Sequence, residues 1–294
     1  MARGVAAVYN IRAIFWQGEF MKLMLAVIGA LILTASMAPE VRAAGTDGVP
    51  AIATKSETVT YPSGKDTVSG YLVEPEKGGK YPALIVIQEW WGLNDWVREQ
   101  TQKLAEQGYV ALAPDLYRGK VATNPSEAHE LMRGMPQDRA VADLNAAFAY
   151  LSAKSNVDPV RIGSIGWCMG GGLSLQLAIH QPKLAACVVN YGALPTDPAD
   201  IGQIFAPVLG NFGADDHGIT PDDVKAFEKS MGKLGRLVSV KIYDGAGHGF
   251  MNDTNANAYR PEATAEAWKR IMDFLNTFLK PRPAAAPVPP AKSK

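Results

Sequence analysis

Cys168 lies in a glycine-rich stretch whose residue types and spacing suit a nucleophile. The stretch reads Gly166-Trp-Cys-Met-Gly-Gly171, after an apolar run that predicts a buried strand and before a segment with helical character. Glycines two residues before and two after the cysteine permit a sharp turn from strand to helix, where a side chain would clash. Backbone N–H groups and the dipole at a helix N-terminus favour a thiolate. The stretch therefore predicts a nucleophile elbow that carries a thiol.

Two other interpretations of this turn are a phosphate-binding loop and a structural cysteine. A glycine-rich turn can bind phosphate, but no Gly-Lys-Ser/Thr follows, and the glycine spacing differs from that of the dinucleotide fingerprint. The second alternative is a buried structural cysteine beside packing glycines. The other cysteine, Cys187, could form a disulfide by count, but its apolar strand pattern predicts a small core residue. Cys168 is then a free thiol.

A cysteine nucleophile needs a base and an acid that orients it, and both candidates follow predicted strands. His248 lies in Gly245-Ala-Gly-His-Gly-Phe250, and two acids lie in Gly213-Ala-Asp-Asp216. Both loops should emerge at the carboxyl edge of the sheet, where the elbow also lies. The spacing from Gly213 selects Asp216 as the orienting acid, although Asp215 competes for the role. The remaining histidines are predicted to be surface residues: His129, His180 and His217.

Glu89 is predicted at the end of an apolar strand on the same edge. Near Cys168 it could take the thiol proton, whereas the alternative is a loop acid with a local hydrogen bond. Trp90, Trp91 and Trp96 follow it closely. They are predicted either to line an apolar pocket or to pack on the surface under a lid.

The order of elements predicts an α/β fold with a mostly parallel central sheet and helices on both faces, because strands and helices alternate. An edge hairpin is expected at 57–61 and 69–74, and a loop or short helix at 118–136. The remaining predicted strands are 81–87, 109–113, a strand reaching Ile165, 185–191, 207–212 and 237–243, and the predicted helices are 95–107, 138–153, 221–234 and 263–280.

Composition bounds the class of protein. The chain has 294 residues with 47% hydrophobic content, and Lys+Arg and Asp+Glu both number 29. This length supports one sizeable domain, predicted at residues 44–280, and the absence of a basic excess disfavours nucleic acid as a partner. We expect a monomer.

The two ends are predicted to lie outside the domain. Residues 1–43 are interpreted as an N-terminal extension and signal peptide, with Met21 as an alternative start, an apolar run at 23–33 and cleavage after Ala43. This predicts a periplasmic or secreted protein with no membrane attachment after cleavage; the alternative is an uncleaved anchor. The Pro/Ala-rich tail, 281–294, is predicted to be disordered.

These motifs together resemble the dienelactone hydrolase family of α/β-hydrolases over about residues 57–280. The elbow, the Gly-Ala-Asp-Asp loop and the Gly-His-Gly-Phe loop match the family's triad motifs in order and spacing. The segments Gln88-Glu-Trp-Trp-Gly92 and Ala113-Pro-Asp-Leu-Tyr-Arg118 match two more. The resemblance implies the α/β-hydrolase fold and cleavage of a small ester or lactone by Cys168, His248 and Asp216 through an acyl-enzyme, with Glu89 contacting the resting sulfur.

The resemblance also assigns the rest of the site. The backbone N–H groups of Trp90 and Met169 would form an oxyanion hole. Substrate contacts are expected from Arg118, Trp91 and Phe250, and neither a metal nor an organic cofactor is implied.

One position departs from the family's pattern. The dienelactone-cleaving members carry an Arg four residues beyond the catalytic histidine, and here that residue is Asn252. Arg118 is also displaced by about one residue within its motif. Loss of a guanidinium from a carboxylate clamp disfavours dienelactone itself, so a different ester or lactone is at least as well supported.

The same motifs leave two other functions open. One is a secreted binding protein with the same fold and no turnover. The other is a thiol redox protein, which is disfavoured because there is no Cys-x-x-Cys pair.

Overall fold

The computed structural model describes residues 51–280. The predicted signal peptide or anchor and the predicted disordered tail lie outside these residues. The eight strands of this part are β1 (Thr54–Ser63), β2 (Asp66–Pro75), β3 (Tyr81–Ile87), β4 (Val110–Pro114), β5 (Val157–Trp167), β6 (Ala186–Asn190), β7 (Val208–Gly213) and β8 (Val238–Tyr243). Its seven helices are α1 (Asp95–Glu106), α2 (Pro125–Arg133), α3 (Gln137–Ala153), α4 (Met169–His180), α5 (Pro198–Gly202), α6 (Pro221–Lys233) and α7 (Pro261–Leu279).

All eight strands form one sheet in the order β1-β2-β4-β3-β5-β6-β7-β8. The antiparallel hairpin of β1 and β2 lies at one edge, and β2 also pairs antiparallel with β4. Every other pairing is parallel. The predicted mostly parallel α/β sheet is therefore confirmed, and the carboxyl ends of β3 to β8 share one edge of it.

The core has two halves, one on each face of the sheet. Along β3, Ala83, Ile85 and Ile87 join the half that packs under α3, α4 and α6, whereas Leu84 and Val86 join the half under α1 and α7. Because both faces are covered, the central strands are continuous apolar runs rather than alternating ones. Each fully buried Leu, Ile or Val contributes about 1.5–3 kcal/mol to folding.

Polar side chains cap the starts of α1 and α6. Asn94 caps α1 by accepting a 3.1 Å hydrogen bond from the Val97 N–H. At α6, Pro221 occupies the first turn, and Thr220 and Asp223 form a reciprocal capping box. The four helices predicted at 95–107, 138–153, 221–234 and 263–280 agree with the structure to within two residues at each end, whereas α4 starts at Met169, four residues before the predicted helical segment.

The short-helix alternative for segment 118–136 is present, and one further helix was not predicted. The polar segment 118–136 contains α2, which Asn124 caps by accepting from the Glu127 N–H. The short helix α5 was not predicted, because only five residues carry its pattern; it starts at Pro198 and is capped by Asp197. Within residues 51–280, no helix is both long enough and apolar enough to cross a membrane.

Candidate active site

Cys168 occupies a sharp turn between β5 and α4. Its backbone has φ 54° and ψ −119°, a region that residues other than glycine rarely adopt. Holding a side chain there costs about 1–3 kcal/mol and requires support from the surrounding fold. The support includes a 3.0 Å hydrogen bond from the Cys168 N–H to the Asn190 carbonyl, and another from the Gly171 N–H to the Cys168 carbonyl. The predicted elbow is present.

The glycines flanking the elbow are required by close backbone contacts. A Cβ added at Gly166 would lie 2.0 Å from the Gly170 carbonyl oxygen, and one at Gly170 would lie 2.3 Å from the Ile87 oxygen. No real side chain tolerates such distances. The same closeness presses the start of α4 against the loop after β3, so that Met169 and Trp90 lie on adjoining backbone segments.

His248 pairs with Asp216 and not with Asp215. The His248 Nδ1 atom lies 2.8 Å from Asp216 Oδ2. The other carboxylate oxygen of Asp216 accepts hydrogen bonds from the N–H groups of Gly218 and Ile219, at 2.9 and 3.1 Å. Asp216 is buried, whereas Asp215 is exposed. The structure thus assigns the orienting contact to the acid that the glycine spacing selected.

The charges of this pair stabilise each other. Burial opposes ionisation of Asp216, but the hydrogen bonds from His248, Ile219 and Gly218 outweigh it and leave the pKa of the carboxyl below its usual value. Burial also disfavours the imidazolium, yet the hydrogen bond to Asp216 and the interaction with Cys168 raise the pKa of His248 to about 10. His248 therefore holds its proton at neutral pH. Its side chain remains 44% exposed, so a substrate can reach it.

A cavity of about 570 Å³ opens over this group. Its lining combines the thiol of Cys168 and the imidazole of His248 with the rings of two tryptophans and with several polar side chains. The residues that line it are Glu89, Trp90, Trp91, Met132, Cys168, His248, Gly249, Asn252, Thr254 and Asn255. Among the predicted tryptophans, Trp90 and Trp91 line this cavity, and their ring centroids are 5.1 Å apart.

Glu89 is a buried carboxyl at the wall of the cavity. Its Oε2 atom accepts a 2.7 Å hydrogen bond from Asn252 Nδ2, and its Oε1 atom accepts one of 3.2 Å from the Tyr191 hydroxyl. Burial raises the pKa of the carboxyl above its usual value. Its two hydrogen bonds go to these residues, whereas the resting contact with the Cys168 sulfur that the family resemblance implied stays a prediction.

Tyr191 was not singled out from the sequence. It follows β6 directly at the same sheet edge, with φ 40°, and its buried ring lies edge-on to His248 at 5.3 Å. Its position after a strand of that edge was the available signal. It lies between Glu89 and the imidazole and connects the two.

Arg118 does not reach the cavity, which corrects its predicted role. Its guanidinium makes two contacts, of 2.8 and 3.0 Å, with the buried carboxylate of Asp143 on α3. It also donates to the carbonyl of Asp115 at 3.3 Å. A buried carboxylate needs a positively charged partner, so Arg118 stabilises the fold by pairing with Asp143.

Phe250 and Trp96 also lie elsewhere. Phe250 is fully buried and packs against the rings of Tyr191 and Tyr243, so the predicted substrate contact is wrong. Trp96 is buried in α1, and its indole N–H donates to Asp253 at 2.9 Å. Both belong to the core beneath the site.

The second cysteine is inert in this arrangement. Cys187 is fully buried in β6, its sulfur lies 3.3 Å from the Ser174 hydroxyl, and burial raises the pKa of its thiol to about 11. Both cysteines are free. Cys168 therefore has no disulfide partner, which weakens the redox alternative.

The remaining histidines are exposed, as predicted: His129, His180 and His217. His129 packs edge-on against Trp90 at 5.0 Å. Within residues 51–280, no group of three or more His, Cys, Asp and Glu side chains is arranged to hold a metal ion.

The chain is similar to known hydrolases along most of its length. The model of the dienelactone hydrolase family matches residues 68–279. A Methylorubrum extorquens protein provisionally named carboxymethylenebutenolidase is 31% identical over 75% of this chain and 80% of its own. A Synechocystis protein of the same provisional name is 32% identical over 77% and 98%. The crystal structure of a dienelactone hydrolase-like promiscuous phosphotriesterase from metagenomic libraries superposes with a TM-score of 0.72 at 27% identity, covering 77% of this chain and 99% of that one.

Proposed function

Because the chain belongs to the dienelactone hydrolase family and is a hydrolase of lactones or esters, we propose that it cleaves its substrate through Cys168, His248 and Asp216 by way of an acyl-enzyme. One observation carries the proposal. A thiol on a strained elbow and an imidazole held at 2.8 Å by a buried carboxylate face the same cavity. A nucleophile, a base and an orienting acid in one cleft are the parts that acyl transfer needs.

Acylation begins with the proton shared by Cys168 and His248. The imidazole holds the proton, and the thiolate sulfur attacks the carbonyl carbon of the substrate to form a tetrahedral oxyanion. Collapse of this intermediate breaks the carbon–oxygen bond, and His248 gives its proton to the leaving oxygen. An ester releases an alcohol, whereas a lactone opens and stays attached as the acyl group.

The oxyanion would be held by the N–H groups of Trp90 and Met169. Met169 is the first residue of α4, where N–H groups have no partner inside the helix. Trp90 lies on the adjoining loop, because Gly170 packs against the end of β3. Removing one such donor costs about 10²–10³ in kcat in other acyl-transfer enzymes.

Deacylation reverses the roles. Once the sulfur is bound in a thioester, the thiolate no longer stabilises the imidazolium, so the pKa of His248 falls and the neutral ring can take a proton from water. The resulting hydroxide attacks the thioester carbonyl. Collapse then releases the carboxylic acid, and the sulfur returns to its starting state.

A neutral phosphotriester is a second candidate substrate. A structural neighbour is named as a promiscuous phosphotriesterase. The cavity walls here carry no Lys or Arg side chain within residues 51–280, which suits an uncharged phosphorus centre. Attack of Cys168 on phosphorus with loss of an aryloxide would be the corresponding first step.

The test is a hydrolysis screen of the purified chain against aryl esters, lactones and aryl phosphotriesters. Cys168→Ala should abolish turnover, and Cys187→Ala should keep it, because Cys187 lies outside the cavity. Near wild-type activity in Cys168→Ala would refute the assignment. Labelling of Cys168 by iodoacetamide without hydrolysis of any substrate would favour the binding-protein alternative.

The proposed setting is the periplasm or the extracellular medium, with the protein as a monomer. This rests on the signal-like pattern of residues 1–43. Fractionation of cells that express the full chain, followed by N-terminal sequencing of the mature protein, tests the location and the cleavage site.

A further inference from the structure

Within residues 51–280, the imidazolium of the catalytic His248 is the one cation on the walls of the Cys168 cavity, and its charge is paired with the carboxylate of Asp216. In the same described part of the chain, the other ionisable side chains on the lining are the thiol of Cys168 and the carboxyl of Glu89. Basic residues on neighbouring elements, such as Lys120 and Arg133, are exposed and do not line it. Arg118 is engaged with Asp143. Within residues 51–280, a substrate carboxylate would therefore meet no guanidinium or ammonium in this cavity.

Asn252 cannot substitute for such a cation. Its amide nitrogen donates to Glu89 at 2.7 Å. Its amide oxygen accepts from the backbone N–H and from the hydroxyl of Thr254, at 3.0 and 2.6 Å. Both ends of the amide are engaged, so its orientation is fixed. The second Nδ2 proton of Asn252 can offer a substrate only an uncharged donor, and rotating the amide further would leave Glu89 with one donor.

Glu89 itself disfavours an anionic substrate. The carboxyl is buried, so any negative charge on it acts over a short distance with little screening by water. Ionised, it repels a second carboxylate. Protonated, it offers no charge to attract one.

The opposite wall is apolar. Trp90 and Trp91 present two rings at an interplanar angle of 64°, and Met132 of α2 adds a flexible thioether. Such a surface binds aryl or alkyl groups through dispersion and burial of apolar area.

We propose that the substrate is an uncharged ester or lactone whose acyl group is aryl or alkyl, and that Glu89 and Asn252 exclude acyl groups that carry a carboxylate. The inference rests on the proposed function, because it specifies the substrate class of the same cavity. Asn252 is here a positioning residue that holds Glu89.

The test compares two 4-nitrophenyl esters of the same chain length, the pentanoate and the glutarate monoester. They share a leaving group and differ in a terminal methyl or carboxylate, and each rate is divided by its uncatalysed rate. The wild-type protein should hydrolyse the pentanoate with a kcat/KM at least about tenfold higher, because a carboxylate entering the cavity loses water without gaining a dedicated guanidinium or ammonium partner, and any charge on Glu89 repels it. Equal efficiency, or preference for the glutarate, would overturn the inference and leave the proposed function standing. Hydrolysis of neither ester would overturn the inference, and a lack of turnover of lactones and phosphotriesters as well would overturn the proposed function.

Asn252→Arg sharpens the test, because it places a guanidinium beside Glu89. We expect it to shift the ratio toward the glutarate monoester by about tenfold. Asn257→Arg is the matched control, since it adds the same charge at an exposed position of the same loop that does not line the cavity. An unchanged ratio in Asn252→Arg, or an equal shift in Asn257→Arg, would contradict the role of position 252. Glu89→Gln should also reduce the ratio of the pentanoate kcat/KM to the glutarate kcat/KM. This variant provides the test if Asn252→Arg fails to fold.

Discussion

The Nδ1 atom of His248 lies 2.8 Å from Oδ2 of Asp216, whereas the side chain of the adjacent Asp215 is exposed. Two consecutive aspartates thus have different environments. The buried Asp216 holds the imidazole ring of His248, the proposed base. The exposed Asp215 provides a control position for substitutions of Asp216.

The first prediction compares these two acids. Asp216→Asn should lower kcat by about 10⁴, the loss seen when the acid of a catalytic triad becomes an amide. It should also lower the pKa of His248 from about 10, because the charge that stabilises the imidazolium is gone. Asp215→Asn should change kcat by no more than about twofold, as expected for a surface substitution. Steady-state kinetics and NMR titration of His248 measure both effects; equal losses in the two variants would contradict the assignment.

The second prediction concerns the elbow. Gly170→Ala should destabilise the protein by about 3 kcal/mol or more, since its Cβ would lie 2.3 Å from the Ile87 oxygen and force the backbone apart. Gly232→Ala in α6 has nothing within 4 Å of the added Cβ. It should raise stability by about 0.5–1 kcal/mol, because alanine favours a helix over glycine. Urea unfolding measures both changes, and a neutral Gly170→Ala would show that the tight contact is not needed.

The third prediction is the pH dependence of stability due to Glu89. Burial raises the pKa of its carboxyl in the folded protein. The folded state therefore binds the proton more tightly than the unfolded state. The stability contributed by that proton is fully present below the unfolded pKa of about 4.3 and is lost as pH rises through the folded pKa.

Glu89→Gln removes this titration. The stability of the variant relative to wild type should therefore increase as pH rises from acid to neutral. Thermal unfolding of both proteins across this range provides the measurement, with Glu57→Gln on the exposed face of β1 as control. A constant difference between Glu89→Gln and wild type would indicate that Glu89 does not titrate abnormally.

The fourth prediction separates fold from catalysis at Arg118. Arg118→Met should cost about 3 kcal/mol of stability, because it leaves the carboxylate of Asp143 buried without its ion-pair partner. Turnover of a neutral ester should persist, since Arg118 does not line the cavity. The double variant Arg118→Met, Asp143→Leu should lose less stability than Arg118→Met alone. Normal stability together with a raised KM in Arg118→Met would contradict this prediction and indicate that Arg118 binds the substrate.

Much of the fold could be predicted because local signals agreed with one another. Continuous apolar runs marked strands covered on both faces, and the alternation of strands with helices marked the α/β architecture. The short helix α5 was not predicted, because a segment of five residues is too short to show a helical periodicity.

The candidate site was predictable where a residue follows a strand at the sheet's carboxyl edge, as Cys168 and His248 do. Contacts that depend on tertiary packing were not. Arg118 lies beside a motif for substrate binding but faces Asp143 on α3, a residue 25 positions away. Phe250 adjoins the catalytic loop, yet its ring turns inward against Tyr243. Sequence spacing places a residue on an edge, but the packing of neighbouring elements decides which way its side chain points.

The central claim is that the acyl group is carried by Cys168. The most direct measurement is intact-protein and peptide mass spectrometry of the protein quenched within the first turnovers of a slowly hydrolysed aryl ester. We predict one acyl adduct, located on the peptide that contains Cys168, formed in Cys187→Ala and missing in Cys168→Ala. An adduct on another residue, or sustained hydrolysis by Cys168→Ala, would contradict the account.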